Sequence, residues 1–464
     1  MKRGGGTSKQ APVLHRNISI YLQPQAGCRC YITKTYMKMR SLVSIVVILL
    51  VVTSSGIAQE KVSSFKPSTE PDRIILTIKG DPSTTMAVTW RTDTTVSASV
   101  AQLSRNLPTI HLADSSDTFT GTYEDVEGDG VVGRFHSVNF TSLRPATTYA
   151  YRVGSGTDVS EWFTFTTASA TPDRYTFLYF GDSQMGSNSL YSRVIRQAYR
   201  SVPDARLMLF PGDLVDGGSG SLLQDNEWGA WHAAGGFIHA EIPVMPTPGN
   251  HEYYNPGDRT NRELNRYWRP GFTLPENGPS GLEETAYSID YQGVRFIVIN
   301  SDLMMRKEEI AVRQAQWVEE LLKNNPSNWT VMTFHHPIFS TSARRDNKAV
   351  SGPLKPIIDK YGVDLVLTGH DHTYARGNIL PEGEIKKGRR AGTVYVVSVS
   401  GSKQYQQDAE PWWDIGLTYT QIWQAITIDG NELEYRAYDA SGTLVDQFIL
   451  KKKNSGKKII TDAR

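Results

Sequence analysis

The sequence is poor in cysteine and has no long hydrophobic run, and both absences restrict what the protein can be. The two cysteines, Cys28 and Cys30, lie in the first forty of 464 residues. Residues 59–464 therefore offer neither a disulfide framework nor a thiolate metal ligand. The longest apolar run, residues 42–52, is shorter than the roughly 20 residues that a membrane-spanning helix needs.

The chain also has almost no net charge, but this total hides an uneven distribution. A net charge of +1 gives no reason to expect nucleic acid as a partner. Residues 1–40 carry eight basic and no acidic residues, so that removing them leaves a charge of −7 on residues 59–464. Residues 451–464 form a basic tail without interleaved aromatics, which we expect to be a solvated terminus.

Residues 1–58 resemble an N-terminal extension followed by a secretory signal peptide. Basic residues precede the apolar run, and a small-x-small cleavage pattern ends at Ala58. Because such signals usually have about 15–30 residues, Met37 or Met39 is a more natural start, and we expect residues 1–36 to lie outside the signal. The sequence thus predicts export to the periplasm or the extracellular space, without stable membrane insertion. An uncleaved membrane anchor is the alternative.

Residues 67–168 alternate short apolar runs with turn residues, a pattern typical of an all-β sandwich. The segment from Leu143 to Tyr149 resembles the tyrosine corner of fibronectin type III modules, and Trp90 is a candidate core residue. Residues 168–173 are small and polar and include a proline, which indicates a linker. We therefore expect a separate fibronectin type III-like domain here.

Residues 174–450 have a different pattern, with continuous apolar runs that alternate with helical segments. The apolar runs are typical of buried strands, and amphipathic patterns predict helices over 189–199, 223–234 and 308–322. This alternation predicts an α/β layered domain.

Five polar clusters follow one another along this second region, four of them directly after an apolar run. They are Gly181-Asp182-Ser183-Gln184, Gly212-Asp213-Leu214-Val215-Asp216, Gly249-Asn250-His251-Glu252, Phe334-His335-His336-Pro337 and Gly369-His370-Asp371-His372. Ligands of open α/β sheets collect at the carboxyl ends of the strands, so we expect the clusters to converge. Any one of these clusters alone is better explained as a turn or as core packing. All five in this order, however, predict a single site.

The residue types in these clusters indicate a metal centre. Aspartate, asparagine and histidine supply oxygen and nitrogen donors without sulfur, a set that suits Zn, Mn or Fe. Two ions about 3.5–4 Å apart need a ligand that reaches both, and a carboxylate can do this.

Together the five motifs resemble those of the calcineurin-like metallophosphoesterase superfamily. With the preceding sandwich and the segment from Gly369 to Arg376, the chain is most similar to the purple acid phosphatases. The resemblance implies a four-layer α/β/β/α sandwich after the N-terminal β domain. It also implies hydrolysis of small-molecule phosphate monoesters at a binuclear metal centre by in-line attack of a metal-bound hydroxide. The alternatives are a phosphodiesterase or nucleotidase of the same superfamily, and a non-catalytic exported binding module.

The resemblance also implies a role for individual residues. Asp182 and His372 would bind the first metal, Asp213 would bridge both, and the second metal would be held by the remaining ligands, Asn250, His335 and His370. His251 would face the substrate, where it stabilises phosphoryl charge or protonates the leaving oxygen.

Several positions depart from the family pattern and leave the metal pair open among Fe, Zn and Mn. Asp216 replaces the tyrosine of the purple enzymes, and it either binds metal or, as we favour, supports a ligand. Gln184 stands where many superfamily members have a metal-binding histidine, and His336 where the family has a small polar residue. Arg344 and Arg345 occupy positions of substrate-facing histidines and are candidate phosphate-binding residues, unless they belong to a solvated loop.

Overall fold

The alternating apolar runs before residue 168 form the two sheets of a β-sandwich. In this computed structural model, the described residues are 63–217, 225–254, 262–381, 383, 389–453 and 457–462. The N-terminal extension with Cys28 and Cys30 and the predicted signal segment lie outside them. The strands of the first region are β1 (Asp72–Thr77), β2 (Met86–Thr92), β3 (Val100–Arg105), β4 (Asp117–Thr120), β5 (Thr122–Gly128), β6 (Val131–Phe140), β7 (Thr148–Ser155), β8 (Asp158–Val159) and β9 (Phe163–Thr166).

The predicted core features of this sandwich are confirmed. Trp90 is fully buried, and its ring stacks on His136 at 5.0 Å. The Tyr149 hydroxyl accepts a hydrogen bond from the Arg144 N–H at 2.9 Å, which is the contact that defines a tyrosine corner. Strands β5, β6, β2 and β1 form one face, and β4, β3, β7, β8 and β9 form the other.

The strands of the second region make two large sheets and one short hairpin. They are β10 (Tyr175–Tyr179), β11 (Met208–Phe210), β12 (Val244–Pro246), β13 (Tyr253–Tyr254), β14 (Glu263–Leu264), β15 (Tyr287–Tyr291), β16 (Val294–Val298), β17 (Trp329–Phe334), β18 (Leu365–Thr368), β19 (Tyr374–Ile379), β20 (Thr393–Val397), β21 (Ile415–Leu417), β22 (Ile422–Asp429), β23 (Glu432–Asp439), β24 (Leu444–Lys452) and β25 (Lys458–Asp462).

Helices cover the outer faces of the two large sheets. They are α1 (Ser192–Ser201), α2 (Asp225–Gly235), α3 (Phe237–Glu241), α4 (Trp268–Gly271), α5 (Ser301–Met304), α6 (Glu308–Lys323) and α7 (Lys348–Tyr361). The three predicted helices correspond to α1, α2 and α6, although residues 223 and 224 lie outside the described part. No described helix is long and apolar enough to cross a membrane.

The two sheets pack face to face and give the predicted four layers. One sheet has the order β15-β16-β17-β18-β20-β19-β21, with β16, β17, β18 and β20 parallel. The other contains the parallel strands β10, β11 and β12 beside the antiparallel strands β22 to β25. Phe177 of β10 meets Phe296 of β16 edge to face at 5.2 Å between the sheets. The α/β/β/α architecture is thereby confirmed.

The β-sandwich is joined to the layered region more closely than its linker suggests. Thr77 of β1 pairs in parallel with Val244 of β12, so one eleven-stranded sheet runs through both regions. One hydrophobic core also includes residues from both. The two regions accordingly lie in one compact unit.

A buried ion network lies at the same junction. Arg73 of β1 and Arg91 of β2 both pair with Asp225 at the start of α2, at 2.8 and 3.1 Å. The Arg91 and Asp225 side chains are almost fully buried, and Arg91 also binds Asp72. These ion pairs join the sandwich to helix α2 of the layered region.

The basic terminus is not the solvated tail expected from its composition. Lys452 ends β24, and residues 458–462 form β25, which pairs with β24 along its length. Lys452 and Lys458 both pair with the buried Asp364, at 2.7 and 3.0 Å. Ion pairing and strand addition hold this part of the terminus against the sheet.

Candidate metal centre

The five polar clusters converge at the carboxyl ends of strands from both large sheets. Asp182 follows β10, Asp213 follows β11, and Asn250 lies in a 3₁₀ turn after β12. From the other sheet, His335 follows β17, while His370 and His372 follow β18. Because β10, β11 and β12 are parallel, as are β17 and β18, their ends meet at the same edge.

Two groups of potential ligand atoms overlap in one carboxylate. Asp213, His335 and His370 place donor atoms within 4.8 Å of one another, and so do Asp182, Asp213 and His372. Asp213 belongs to both groups and is almost fully buried.

Backbone carbonyls fix which histidine nitrogen faces the first of these groups. The His335 Nδ1 donates to the Pro211 carbonyl at 3.1 Å, since a carbonyl can only accept. In the neutral ring its Nε2 is then an acceptor, and it lies 3.1 Å from Asp213 Oδ2, 3.1 Å from Asn250 Oδ1 and 3.0 Å from His370 Nδ1. This nitrogen and the Asp213 and Asn250 oxygens repel one another unless a proton or a metal cation lies among them, so the donor set fits a metal ion in place of the ring proton.

The second group has the same construction. The His372 Nδ1 donates to the Lys403 carbonyl at 3.0 Å, which leaves Nε2 directed at Asp182 Oδ2, 3.4 Å away. The Gln184 amide nitrogen lies 3.1 Å from Asp213 Oδ2 and 3.2 Å from His372 Nε2, and the buried amide oxygen has no hydrogen-bond partner. An unpaired buried oxygen is costly, and turning the amide would direct it toward the same ligand atoms. These residues fit a second ion.

Burial and charge act strongly on the titration of these groups. Burial, opposed by His335 and reinforced by Asp213, raises the pKa of Asp182 to about 7. Burial works to lower the pKa of His335, but Asp213 and Asp182 outweigh it and raise the value to about 9. Burial lowers the pKa of His372 to about 3. Asp213 and Asp182 therefore attract positive charge at His335, whereas burial keeps the His372 ring neutral.

Strained backbone carries three of the candidate ligands. Asp213, His370 and His372 have φ angles of +51°, +74° and +53°, in the left-handed region that non-glycine residues avoid. Each such residue costs roughly 1–3 kcal/mol and usually marks a functional position. A Cβ on Gly212 would lie 2.4 Å from the Gly249 nitrogen, so glycine is needed where the two loops touch.

His251 lies beside the two groups without joining either. Its Nδ1 contacts the Asp216 carbonyl oxygen, which directs Nε2 toward Asp213 Oδ2 at 3.8 Å. Its side chain is about one quarter exposed. Asp216 thus positions His251 through its backbone, and its carboxylate belongs to neither group of ligand atoms.

His336 packs against the candidate ligand His370. Its ring lies 4.2 Å from that of His370, and its Nδ1 lies 3.0 Å from the Ser301 hydroxyl. Burial, followed by the neighbouring His335, lowers its pKa well below the ordinary value, so the ring is neutral.

The two arginines differ in their surroundings. Arg345 donates to Asp371 Oδ1 at 3.0 Å and to the His370 carbonyl, and thereby holds the loop after β18 in place. The Arg344 side chain is 87% exposed and pairs with Asp408 at 3.6 Å. Their predicted contact with phosphate stays a prediction.

Glu252 is a site residue whose role the sequence did not indicate. Its fully buried carboxylate accepts hydrogen bonds from the N–H groups of Asp213, Leu214 and Gly249 at 2.7–2.8 Å. It thus connects the loop that carries Asp213 to the loop that carries Asn250. The only sequence feature that could have indicated this role is its position at the end of the motif Gly249-Asn250-His251-Glu252.

Comparisons with known proteins agree with this arrangement. Residues 71–167 match the family model described as "Purple acid Phosphatase, N-terminal domain", and residues 175–374 match "Calcineurin-like phosphoesterase". The chain is 24% identical to purple acid phosphatase 15 of Arabidopsis thaliana over 60% of its own length. It is 26% identical to human acid phosphatase type 7, over 67% of this chain and 71% of that one.

The chain spans 55% of the length of the Arabidopsis relative. Among solved structures, a purple acid phosphatase from yellow lupin (Lupinus luteus) seeds has the same fold. The TM-score is 0.69 at 17% identity, and the match covers 83% of this chain and 75% of that one.

Proposed function

Since the chain is a purple acid phosphatase-like member of the calcineurin-like phosphoesterases, and so a phosphoric ester hydrolase, we propose that it hydrolyses phosphate monoesters at a binuclear metal centre. The observation that carries this proposal is the position of Asp213, whose carboxylate is shared by two groups of ligand atoms. A single-ion or purely structural site would not need a shared carboxylate.

The ligands divide between the two ions along these groups. Asp182 and His372 would hold the first ion, with the Gln184 amide oxygen as a further candidate. Asn250, His335 and His370 would hold the second, and Asp213 would serve both. When bound, such a pair of ions polarises the phosphoryl oxygens and supplies an activated water for in-line displacement.

The protein's own contribution to the reaction centres on His251. With Nδ1 held by the Asp216 carbonyl, its Nε2 faces the centre and is within reach of a phosphoryl or leaving-group oxygen. Protonated there, it stabilises the charge that develops on the ester or gives its proton to the leaving oxygen.

Glu252 and the Arg345–Asp371 pair keep the ligand loops in position. Each does so through hydrogen bonds to backbone groups or to a neighbouring loop.

The donor types restrict the metals without selecting one pair. All candidate donors are carboxylate, amide or imidazole atoms, which suit Fe, Zn or Mn. Asp216 stands in the place of the family's tyrosine, so the tyrosinate colour of the purple enzymes should be missing. An absorption spectrum of the metal-loaded protein tests this point.

We also propose export by cleavage after Ala58, on the basis of the basic segment, the apolar run and the small-x-small pattern. Secretion would leave a mature chain with a charge of −7 and no cysteine. Determining the N-terminal residue of the exported protein tests the cleavage site, and retention of residues 42–52 would support the membrane-anchor alternative.

The role of His251 is tested by His251→Ala, with His111→Ala as a matched control on an exposed histidine. We expect His251→Ala to lower kcat by about 100-fold to 10,000-fold, the range for a general acid, while metal content stays normal. The control should retain full turnover. Full activity of His251→Ala with normal metal content would show that another group performs this step.

A further inference from the structure

Lys403 lies in a loop that is fixed directly to the candidate metal centre. The loop follows β20, and the N–H groups of Ser400 and Gly401 both donate to the Asp182 carbonyl, at 3.1 and 2.6 Å. The carbonyl of Lys403 itself accepts the hydrogen bond that orients His372. The backbone at Lys403 is therefore set by contacts to two candidate ligands of the first ion.

The Lys403 side chain points to the side of the centre where His251 lies. Its Nζ is 3.5 Å from His251 Nε2, longer than a well-formed hydrogen bond, so the ammonium keeps donors for another partner. Lys403 is half-buried, and within the described part of the chain no carboxylate forms an ion pair with its ammonium group. A partly desolvated cation without a counter-ion attracts an anion.

The nearby arginines are engaged elsewhere, which distinguishes Lys403 from them. Arg345 is bound to Asp371 and to the His370 carbonyl, and Arg344 is exposed and paired with Asp408. Of these three residues, Lys403 is the one whose charge is directed at the substrate-facing nitrogen of His251.

We propose that the Lys403 ammonium binds a non-bridging phosphoryl oxygen beside His251 and makes the site prefer monoesters to diesters. This inference rests on the proposed function of the site. A monoester dianion carries about one more negative charge than a diester, and it has an additional unsubstituted oxygen for the ammonium. A cation at this position therefore stabilises bound monoester more than bound diester.

The test uses Lys403→Met and Lys403→Arg in the metal-loaded full chain, with Lys79→Met as a control on a lysine that pairs with Glu276 at the surface. Because the carbonyl of residue 403 remains in each variant, the orientation of His372 is preserved. The measurements are metal content, kcat and KM for p-nitrophenyl phosphate and bis(p-nitrophenyl) phosphate, and the Kd of inorganic phosphate by calorimetry.

We expect Lys403→Met to lower kcat/KM for the monoester by about 10-fold to 100-fold, the loss of one charge-assisted hydrogen bond, with a much smaller effect on the diester. Phosphate should bind correspondingly more weakly, Lys403→Arg should restore part of the loss, and Lys79→Met should match the wild type. Equal losses for both esters, or an unchanged phosphate Kd, would overturn the inference.

A failure of the proposed function would give a different result. In that case the metal-loaded wild type would hydrolyse neither ester. The phosphate Kd of Lys403→Met would still decide whether Lys403 binds a phosphoryl group.

Discussion

Glu252→Gln should loosen the metal centre without touching a ligand. The two carboxylate oxygens accept three well-formed hydrogen bonds, with Oε2 bound to the Asp213 and Gly249 N–H groups and Oε1 to that of Leu214. An amide has one acceptor oxygen and one donor nitrogen. Whichever way the glutamine turns, its NH₂ group faces at least one backbone N–H that had been bonded.

The magnitude follows from these contacts. In the less costly orientation the NH₂ group replaces Oε1, so the Leu214 N–H loses a charge-assisted bond worth about 1.5–3 kcal/mol and remains buried. The two bonds to the other oxygen lose their ionic character and weaken as well. Burial, followed by the charge of Asp213, raises the pKa of Glu252 to about 8, so replacing this costly buried negative charge offsets part of the loss. We expect the free energy of unfolding to fall by about 2–4 kcal/mol.

Urea unfolding measures the stability change, and elemental analysis with phosphatase assays measures the effect on the centre. Since Glu252 ties the Asp213 loop to the Asn250 loop, metal content and kcat should fall together. Glu284→Gln is the control, because this partly buried carboxylate accepts from the Leu274 N–H away from the metal centre. Wild-type stability and metal content in Glu252→Gln would refute the reasoning.

Three further predictions concern the ion network, a buried histidine and the shared ligand. Asp225→Ala leaves Arg73 and Arg91 buried without their common partner, and urea unfolding should show a loss of about 3–5 kcal/mol. Burial, followed by the charge of Arg134, lowers the pKa of His136 to about 4, so the folded state binds fewer protons than the unfolded state in acid. The stability that comes from keeping His136 neutral is therefore complete above pH 6.5 and is lost as the pH falls toward 4. In His136→Gln the fall in the free energy of unfolding between pH 7 and pH 4 should be smaller than in the wild type by about 3 kcal/mol. A variant whose stability varies with pH as the wild type's does would contradict this. Asp213→Asn should reduce both metal content and kcat, the latter by more than the roughly 100-fold typical of an outer-sphere partner.

Much of the fold could be predicted because its signals are local. The β-sandwich, the buried strands and helix α6 each have a clear periodicity in the sequence. Strand β12 was missed because it has only three residues and ends in Pro246. Helix α7 was missed because Pro353 and Pro356 interrupt its pattern; it persists since Val350, Leu354 and Ile358 are buried against the sheet.

The residues that converge could also be identified from local motifs, whereas the residues that contact them could not. Motifs placed Asp182, Asp213 and the strand-end histidines together, because residues at the ends of parallel strands must meet. The pairing of Arg345 with Asp371 and the orientation of Lys403 depend on loops that are distant in sequence. The shared eleven-stranded sheet likewise depends on a β1–β12 pairing for which the linker gave no signal.

The most direct test of the account is elemental analysis of protein purified without added metal, combined with monoester and diester assays on the same sample. We predict two ions per chain, drawn from Fe, Zn and Mn, and hydrolysis that is faster for the monoester. Fewer than one ion per chain, together with no hydrolysis of either ester after metal loading, would contradict the proposal of a binuclear phosphatase.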